Sequence, residues 1–274
     1  MVWEGKRLGL KFTNLGNAEK PKIKLEIYSK EKLREEFLRR LTPEIRWRFN
    51  FDQDISDFCR KYEKDKFLAP LISKWKGVKP IAANSLYESL MIYIVLQNAS
   101  VRRSVQMLEA LFENFGKKLK FDRKVLSAFW EPRKILKAGE RKLRELKLGY
   151  RAKFILKISE QFSSGYLEEE KLRSMKKDDL KKELLKLYGI GPASLEYLLF
   201  EDFYFLNSLE TLPPWERKIM SRLLFGRLVS EKRILNFFKR YRGYEKLAFH
   251  YFWEDLFWGN KKEKIEWLEK EIRL

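Results

Sequence analysis

Leu187-Tyr188-Gly189-Ile190-Gly191-Pro192 lies between two amphipathic stretches, residues 178–187 and 193–203, and its reading decides the fold. Two glycines flanking one aliphatic residue let a chain reverse tightly, and a proline just inside the next helix is already set to helical φ. In that geometry the amides of Gly189 and Gly191 face outward. With the start of the following helix they form a cradle for a phosphate oxygen. Such a grip engages backbone rather than base, so it is indifferent to nucleotide sequence. The same residues also suit a plain glycine C-cap followed by a helix-starting proline, a junction open to any helical protein.

Charge favours the first reading. Among 274 residues, 59 Lys and Arg against 39 Asp and Glu leave a net +20, with an isoelectric point near 9.8. That excess calls for a polyanionic partner, of which nucleic acid is the commonest, although a membrane surface or ribosomal RNA fits charge alone equally well. One cysteine (Cys59) and one histidine (His250) exclude a disulfide framework, a Cys/His zinc site and a Cys–His nucleophilic pair, and no cofactor is expected. No apolar run approaches the ~20 residues of a membrane span. The start, Met1-Val-Trp-Glu-Gly-Lys-Arg7, has no apolar signal core, so an intracellular protein, cytoplasmic or nucleoid-associated, is expected. Abundant Lys and Glu with scarce Gln resemble a thermophile's composition.

Period-two alternation in residues 8–13, 22–28 and 45–51, punctuated by Gly16, Pro21 and Pro43, predicts antiparallel strands with one buried face. A helix over 31–41, capped by Ser29, interrupts them. From Asp52 onward the pattern is helical: 52–62, 66–75, 85–98 opened by the capping box Ser85-Leu-Tyr-Glu88, and 100–115 stopped by Gly116. After a basic stretch follow 132–146, 151–162, 178–187, 193–203, 214–225, 231–240, 244–258 and 261–272. The fold class is mainly α (α+β): an N-terminal antiparallel sheet subdomain over 1–50 and a helical body over 51–274 that contains the hairpin at about 178–203.

The hairpin resembles the helix-hairpin-helix motif, and the likeness extends beyond it. Leu143-Arg-Glu-Leu-Lys-Leu-Gly-Tyr-Arg-Ala-Lys-Phe-Ile155 is similar to the segment preceding the hairpin in 8-oxoguanine and 3-methyladenine glycosylases. Asn84-Ser-Leu-Tyr-Glu88 and Ile94-Val-Leu-Gln-Asn-Ala-Ser-Val101, closing at Phe115-Gly116, look like their helix pair. Arg46–Phe51 with Asp54-Ile-Ser-Asp-Phe58 looks like their junction of sheet and body. In order and spacing the match covers most of residues 45–258, and the chain is identified as a member of the helix-hairpin-helix DNA glycosylase superfamily. Residues 1–50 would be a shortened form of the N-terminal sheet domain.

The resemblance implies base excision repair: a monomer that binds double-stranded DNA containing a damaged base, oxidised or alkylated, flips that base and hydrolyses its N-glycosidic bond. Gly189, Ile190 and Gly191 would grip the strand. Asn98 matches the side chain that enters the duplex where the nucleotide has left, with Gln97 beside it; a helix C-cap in the left-handed region is the plainer use of Asn98. Arg102 and Arg103 would stand near phosphates or form a solvated face. The family's catalytic Asp falls on Pro213, a departure. Glu216, one turn inside the next helix, and Glu210 are the nearest acids, and Glu216 also suits a capping carboxylate. The Schiff-base lysine of bifunctional members falls on Ala193, so a monofunctional hydrolase is expected. Trp215, Tyr251 and Trp253 would line the base pocket, or be core like most helix-spaced rings, and His250 would be structural. Backbone carbonyls of Leu187 and Ile190 would hold a monovalent cation, as in relatives. The missing Asp supports an alternative: a catalytically silent member that binds damaged or distorted DNA.

Overall fold

The computed structural model describes residues 1–17 and 20–272. Strands β1 (Val2–Trp3), β2 (Lys6–Asn14) and β3 (Ile23–Ser29) form an antiparallel sheet in chain order. Leu8 pairs with Ser29, Leu10 with Ile27 and Phe12 with Leu25, which places the apolar side chains of both strands on one face. Helix α1 (Glu35–Arg48) covers that face, with Phe37, Leu41 and Ile45 packed on Leu8.

The strand expected at 45–51 is the end of α1 and the loop after it. Phe37, Leu41 and Ile45 recur at i, i+4 and i+8, one helical stripe, and the sheet demands that stripe. The short alternation downstream carries less information, and Pro43 is accommodated inside the helix. Ser29 caps nothing here, because α1 begins only at Glu35 behind the N-cap Arg34. The end of α1 is tied to the body by buried charge. Glu44 accepts from Arg48 at 2.6 Å and from Arg173 at 2.5 Å. A buried carboxylate needs such partners to remain charged.

The rest is helical: α2 (Ser56–Tyr62), α3 (Leu68–Lys74), α4 (Leu86–Leu96), α5 (Val101–Phe115), α6 (Pro132–Glu145), α7 (Arg151–Ser163), α8 (Glu169–Arg173), α9 (Lys177–Leu185) and α10 (Pro192–Tyr197), then α11 (Pro214–Phe225), α12 (Glu231–Phe238), α13 (Glu245–Lys262) and α14 (Glu266–Ile272). A π-helical turn, Leu198–Asp202, extends α10. Between α5 and α6 stands a hairpin, β4 (Lys117–Phe121) and β5 (Lys124–Ala128). One core gathers α4–α7 and the hairpin helices α9 and α10. A second, rich in aromatic rings, gathers α2, α3 and α11–α13. Among the described residues no helix is long and apolar enough to cross a membrane.

Local signals place the helices that matter. Ser85 accepts from the Glu88 amide while the Glu88 carboxylate accepts from the Ser85 amide at 2.8 Å, the full capping box. Ser100 caps α5, and Gly116 ends it. Replacing Ser85 by Ala should cost about 1 kcal/mol, read in urea titration as a lower midpoint with an unchanged slope.

Candidate functional site

The reversal between α9 and α10 is held from below. Leu187 and Ile190 are buried in the first core, and the Ile190 amide donates to the Leu187 carbonyl at 3.1 Å. Gly189 has φ +88°, and a Cβ there would stand 2.5 Å from Cδ2 of Phe154 on α7. Glycine is thus required twice, by dihedral and by the ring beneath. Gly191 differs from expectation. Its φ of −109° and ψ of 179° are open to any residue, and no atom lies within 4 Å of its Cβ position. The amides of Gly189 and Gly191 donate to no protein group among the described residues. The Ile190 carbonyl accepts nothing there and the Leu187 carbonyl keeps one lone pair, so both have acceptor capacity left.

The loop after α4 is clasped to this turn. Gln97 donates from Nε2 to the Gly189 carbonyl at 2.8 Å and reaches Ser194 Oγ at 3.5 Å. Its own carbonyl accepts from the Arg151 guanidinium and from the Tyr150 hydroxyl. Gln97 is therefore a brace, its side-chain amino group and its backbone carbonyl both engaged within the protein. Asn98, the next residue, has φ +47°, is exposed, and has its amide 3.4 Å from the Tyr150 hydroxyl. This backbone suits both its capping and its inserting use. Arg102 is exposed without an ion pair among the described residues, whereas Arg103 donates to the Lys147 carbonyl.

Helix α11 has Pro213 as its N-cap, so no side chain satisfies its first amides. Glu216 does not cap them either. It is 4% exposed and accepts at Oε1 from the Tyr197 hydroxyl at 2.5 Å, while Oε2 is buried without a partner. Burial, with the Glu216 charge beside it, raises the Tyr197 phenol well above its usual range. Lys246, also 4% exposed, holds Nζ 5.1 Å from the Tyr197 ring centroid and 4.7 Å from that of Phe249, and that ammonium makes no hydrogen bond or ion pair among the described residues. Burial lifts Glu201 to about 7, against the pull of Lys246 and with a push from Asp202, Glu254 and Glu216. Trp215 and Trp253 meet edge to face at 5.4 Å beside this cluster.

Three expectations change. Glu210 is exposed and pairs with Lys181 on α9, sharing no partner with Glu216. Tyr251 is fully buried against Phe58 with its hydroxyl beside Cys59, so it is core and lines no pocket. Gln97 braces the loops rather than standing free. His250 is buried against Phe200, and burial followed by the Lys246 charge lowers it to about 4, so it stays neutral at neutral pH.

The sequence reading missed Tyr197, Lys246, Tyr93 and Phe154. Tyr93 stacks on Tyr197 at 6.2 Å and donates to Asp202 at 3.0 Å. Lys246 stands before the apolar run Leu247-Ala-Phe249, where a lone lysine could have been suspected of burial. Nothing local marks Phe154, whose role appears only when α7 lies beneath the turn.

Residues 91–248 match the HhH-GPD superfamily of base excision DNA repair proteins. The chain belongs to that superfamily. It is 26% identical over 152 residues to a DNA-3-methyladenine glycosylase of Bacillus subtilis (strain 168), covering 55% of this chain but only half the length of that relative. It is 25% identical over 224 residues to a probable N-glycosylase/DNA lyase of Methanothermobacter thermautotrophicus, covering 74% of this chain and 70% of that one. The solved 3-methyladenine DNA glycosylase of Archaeoglobus fulgidus superposes with a TM-score of 0.73 at 19% identity, over 92% of this chain and 83% of its own, which establishes a shared fold.

Two measurements check this geometry. Gly189→Ala should destabilise the protein by about 1–2 kcal/mol or more, while Gly191→Ala should leave its melting temperature nearly unchanged. Burial also lifts Asp202 to about 7, against hydrogen bonds from Ser89 and Tyr93. The native state then binds more protons than the unfolded chain between about pH 4 and 7, so this group's contribution to stability falls as pH rises through that window. His250 works oppositely between about 4 and 6.5. Asp202→Asn should therefore remove its share of the falling component and leave that of Glu201, seen as the difference between mutant and parent unfolding free energies across pH 4–8.

Proposed function

We propose that the chain is a DNA glycosylase that extrudes an oxidised or alkylated base from duplex DNA and hydrolyses its N-glycosidic bond. The observation that carries the reading is the Gln97–Gly189 hydrogen bond, which makes the open amides of the hairpin and the exposed Asn98 one rigid unit. Gly189 and Gly191 grip a phosphate through their amides, and the bare space above Gly191 admits the strand. A cation on the Leu187 and Ile190 carbonyls would add positive charge beside that phosphate. Asn98 fills the vacated stack and offers its amide to the orphaned base, offsetting the few kcal/mol of flipping.

Glu216 takes the role that Pro213 cannot. Its unpartnered Oε2 is an acceptor already stripped of water, and the Tyr197 hydroxyl fixes the other oxygen. A carboxylate so placed stabilises the cationic sugar that develops as the bond to the base breaks, and can take a proton from the attacking water. Trp215 and Trp253 offer aromatic faces to the extruded base. Ala193 supplies no amine at the hairpin, so the product is an abasic site without strand cleavage.

Pro213 favours a second reading, a silent binder of damaged DNA. Excision from duplexes carrying 8-oxoguanine, 3-methyladenine, hypoxanthine or uracil separates the two. The parent should release at least one of these bases. Glu216→Gln should slow single-turnover release by about 100-fold or more while duplex affinity stays within a few-fold. No release across the panel with retained affinity assigns the binder. Borohydride should trap no covalent adduct with abasic DNA; an adduct would make the enzyme bifunctional through another lysine.

A further inference from the structure

The β4–β5 hairpin belongs to neither large core, yet it is firmly mounted. Phe121 lies against β2, where a Cβ on Gly9 would stand 2.3 Å from its ring, and meets Tyr28 at 5.1 Å. A glycine inside a strand marks such a close approach. Asp122 pairs with Lys11 at 3.1 Å, and Asp122 and Arg123 both take positive φ, the two-residue turn that matches strand twist. Beside the exposed Val125 and Leu126, much of what this mount presents to solvent is cationic. Lys118, Lys120, Arg123 and Lys124, with Arg133 and Lys137 one turn apart on α6, are exposed, and none makes an ion pair or side-chain hydrogen bond among the described residues. Elsewhere this chain pairs its surface charges freely, on α1 and α9 for example. Six unpaired cations together repel one another unless a polyanion is present.

Their place follows from connectivity. Helix α5 starts beside the Asn98 loop and ends at the hairpin, and its 15 residues span about 22 Å. Helix α6 leads back, through Lys147 and Tyr150, to the same loop. At about 3.4 Å per base pair, 22 Å is the rise of about six base pairs. We propose that the β4–β5 hairpin and the first turns of α6 form a second duplex-DNA contact, gripping phosphates about six base pairs from the flipped nucleotide. The inference rests on DNA being the partner of the main site. Glu109 and Glu113 are exposed on α5 between the two places, so the contacts form separate grips rather than one continuous track.

A test compares the parent with two variants, Lys118→Gln/Lys120→Gln/Arg123→Gln/Lys124→Gln and, independently, Arg133→Gln/Lys137→Gln. Probes are an 8-base-pair duplex centred on a stable abasic-site analogue and a 24-base-pair duplex with the same centre, each titrated across salt. Both variants should melt like the parent and bind the short duplex equally well. On the long duplex they should lose affinity several-fold or more, and the slope of log K against log salt should flatten by about 0.9 for each phosphate contact removed. Unchanged affinity and slope on the long duplex overturns the surface. Equal losses on both duplexes overturn it too, because the cations then act at the main site. Retained DNA binding with lost binding to polyglutamate would assign the patch to an acidic protein instead. A parent that binds neither duplex defeats the proposed function itself.

Discussion

One hydrogen bond, from the Gln97 side chain to the Gly189 carbonyl, joins two loops that lie 92 residues apart in the chain. Without it the turn and the Asn98 loop would be joined only indirectly, through the side chains of α7 that each of them touches. Gripping a phosphate and filling the gap left by a flipped nucleotide are useful only at a fixed separation, since misplacement by an ångström forfeits much of the benefit of holding reactants in place. The bond survives exposure because both partners are locked. Gly189 sits on the Phe154 ring, and the Gln97 carbonyl is held by Arg151 and Tyr150 from the start of α7. Helix α7 thus supports both loops at once.

Much of this was legible in the residues, and the rest was hidden for physical reasons. Capping residues act within three positions, so the starts of α4 and α5 could be read from Ser85 and Ser100, and Pro214 and Gly226 bracket α11 as the pattern requires. The turn was legible because Gly189 needs a positive φ. Gly191 looked like the same requirement and is not, since its backbone is extended. The strand read at 45–51 failed because seven residues of alternation cannot outweigh a longer helical stripe that the sheet needs covered. The β4–β5 hairpin was missed because Asp122-Arg123 lacks the Asn-Gly or Asp-Gly signature of tight turns and its lysines obscured the alternation. Partners such as Tyr197 with Glu216, or Lys246 over Tyr197, come from segments 19 and 49 residues apart, and no local pattern announces them.

Proline at position 213 shapes the start of α11. Proline at the N-cap leaves the first amides of α11 without a side-chain partner, and Glu216 is the acid in that first turn. Glu216 is one turn further in, buried, and bonded to a tyrosine rather than to amides. A carboxylate there interacts through a less screened medium than one at the helix mouth. Burial likewise raises Glu201, to about 7, with a push from the neighbouring Asp202, Glu254 and Glu216.

The two cores meet along the segment that carries this chemistry. Leu195, Leu198, Leu199 and Phe203 pack into the core that supports the hairpin, while Phe200 packs into the aromatic core around α11–α13. A regular α-helix turns about 100° per residue and would hold one stripe against one core. The π-helical turn at Leu198–Asp202 adds a residue to the turn, with the Phe203 amide donating to the Leu198 carbonyl at 3.1 Å. The helix face is thereby rephased, and adjacent side chains can serve opposite cores. Tyr197 stands immediately before this turn, with Tyr93 from the first core on its ring and Glu216 from the second on its hydroxyl. Inserted residues of this kind are common at functional sites. Here the insertion has a definite consequence: the helix that begins at the glycine turn ends by setting the position of the buried acid.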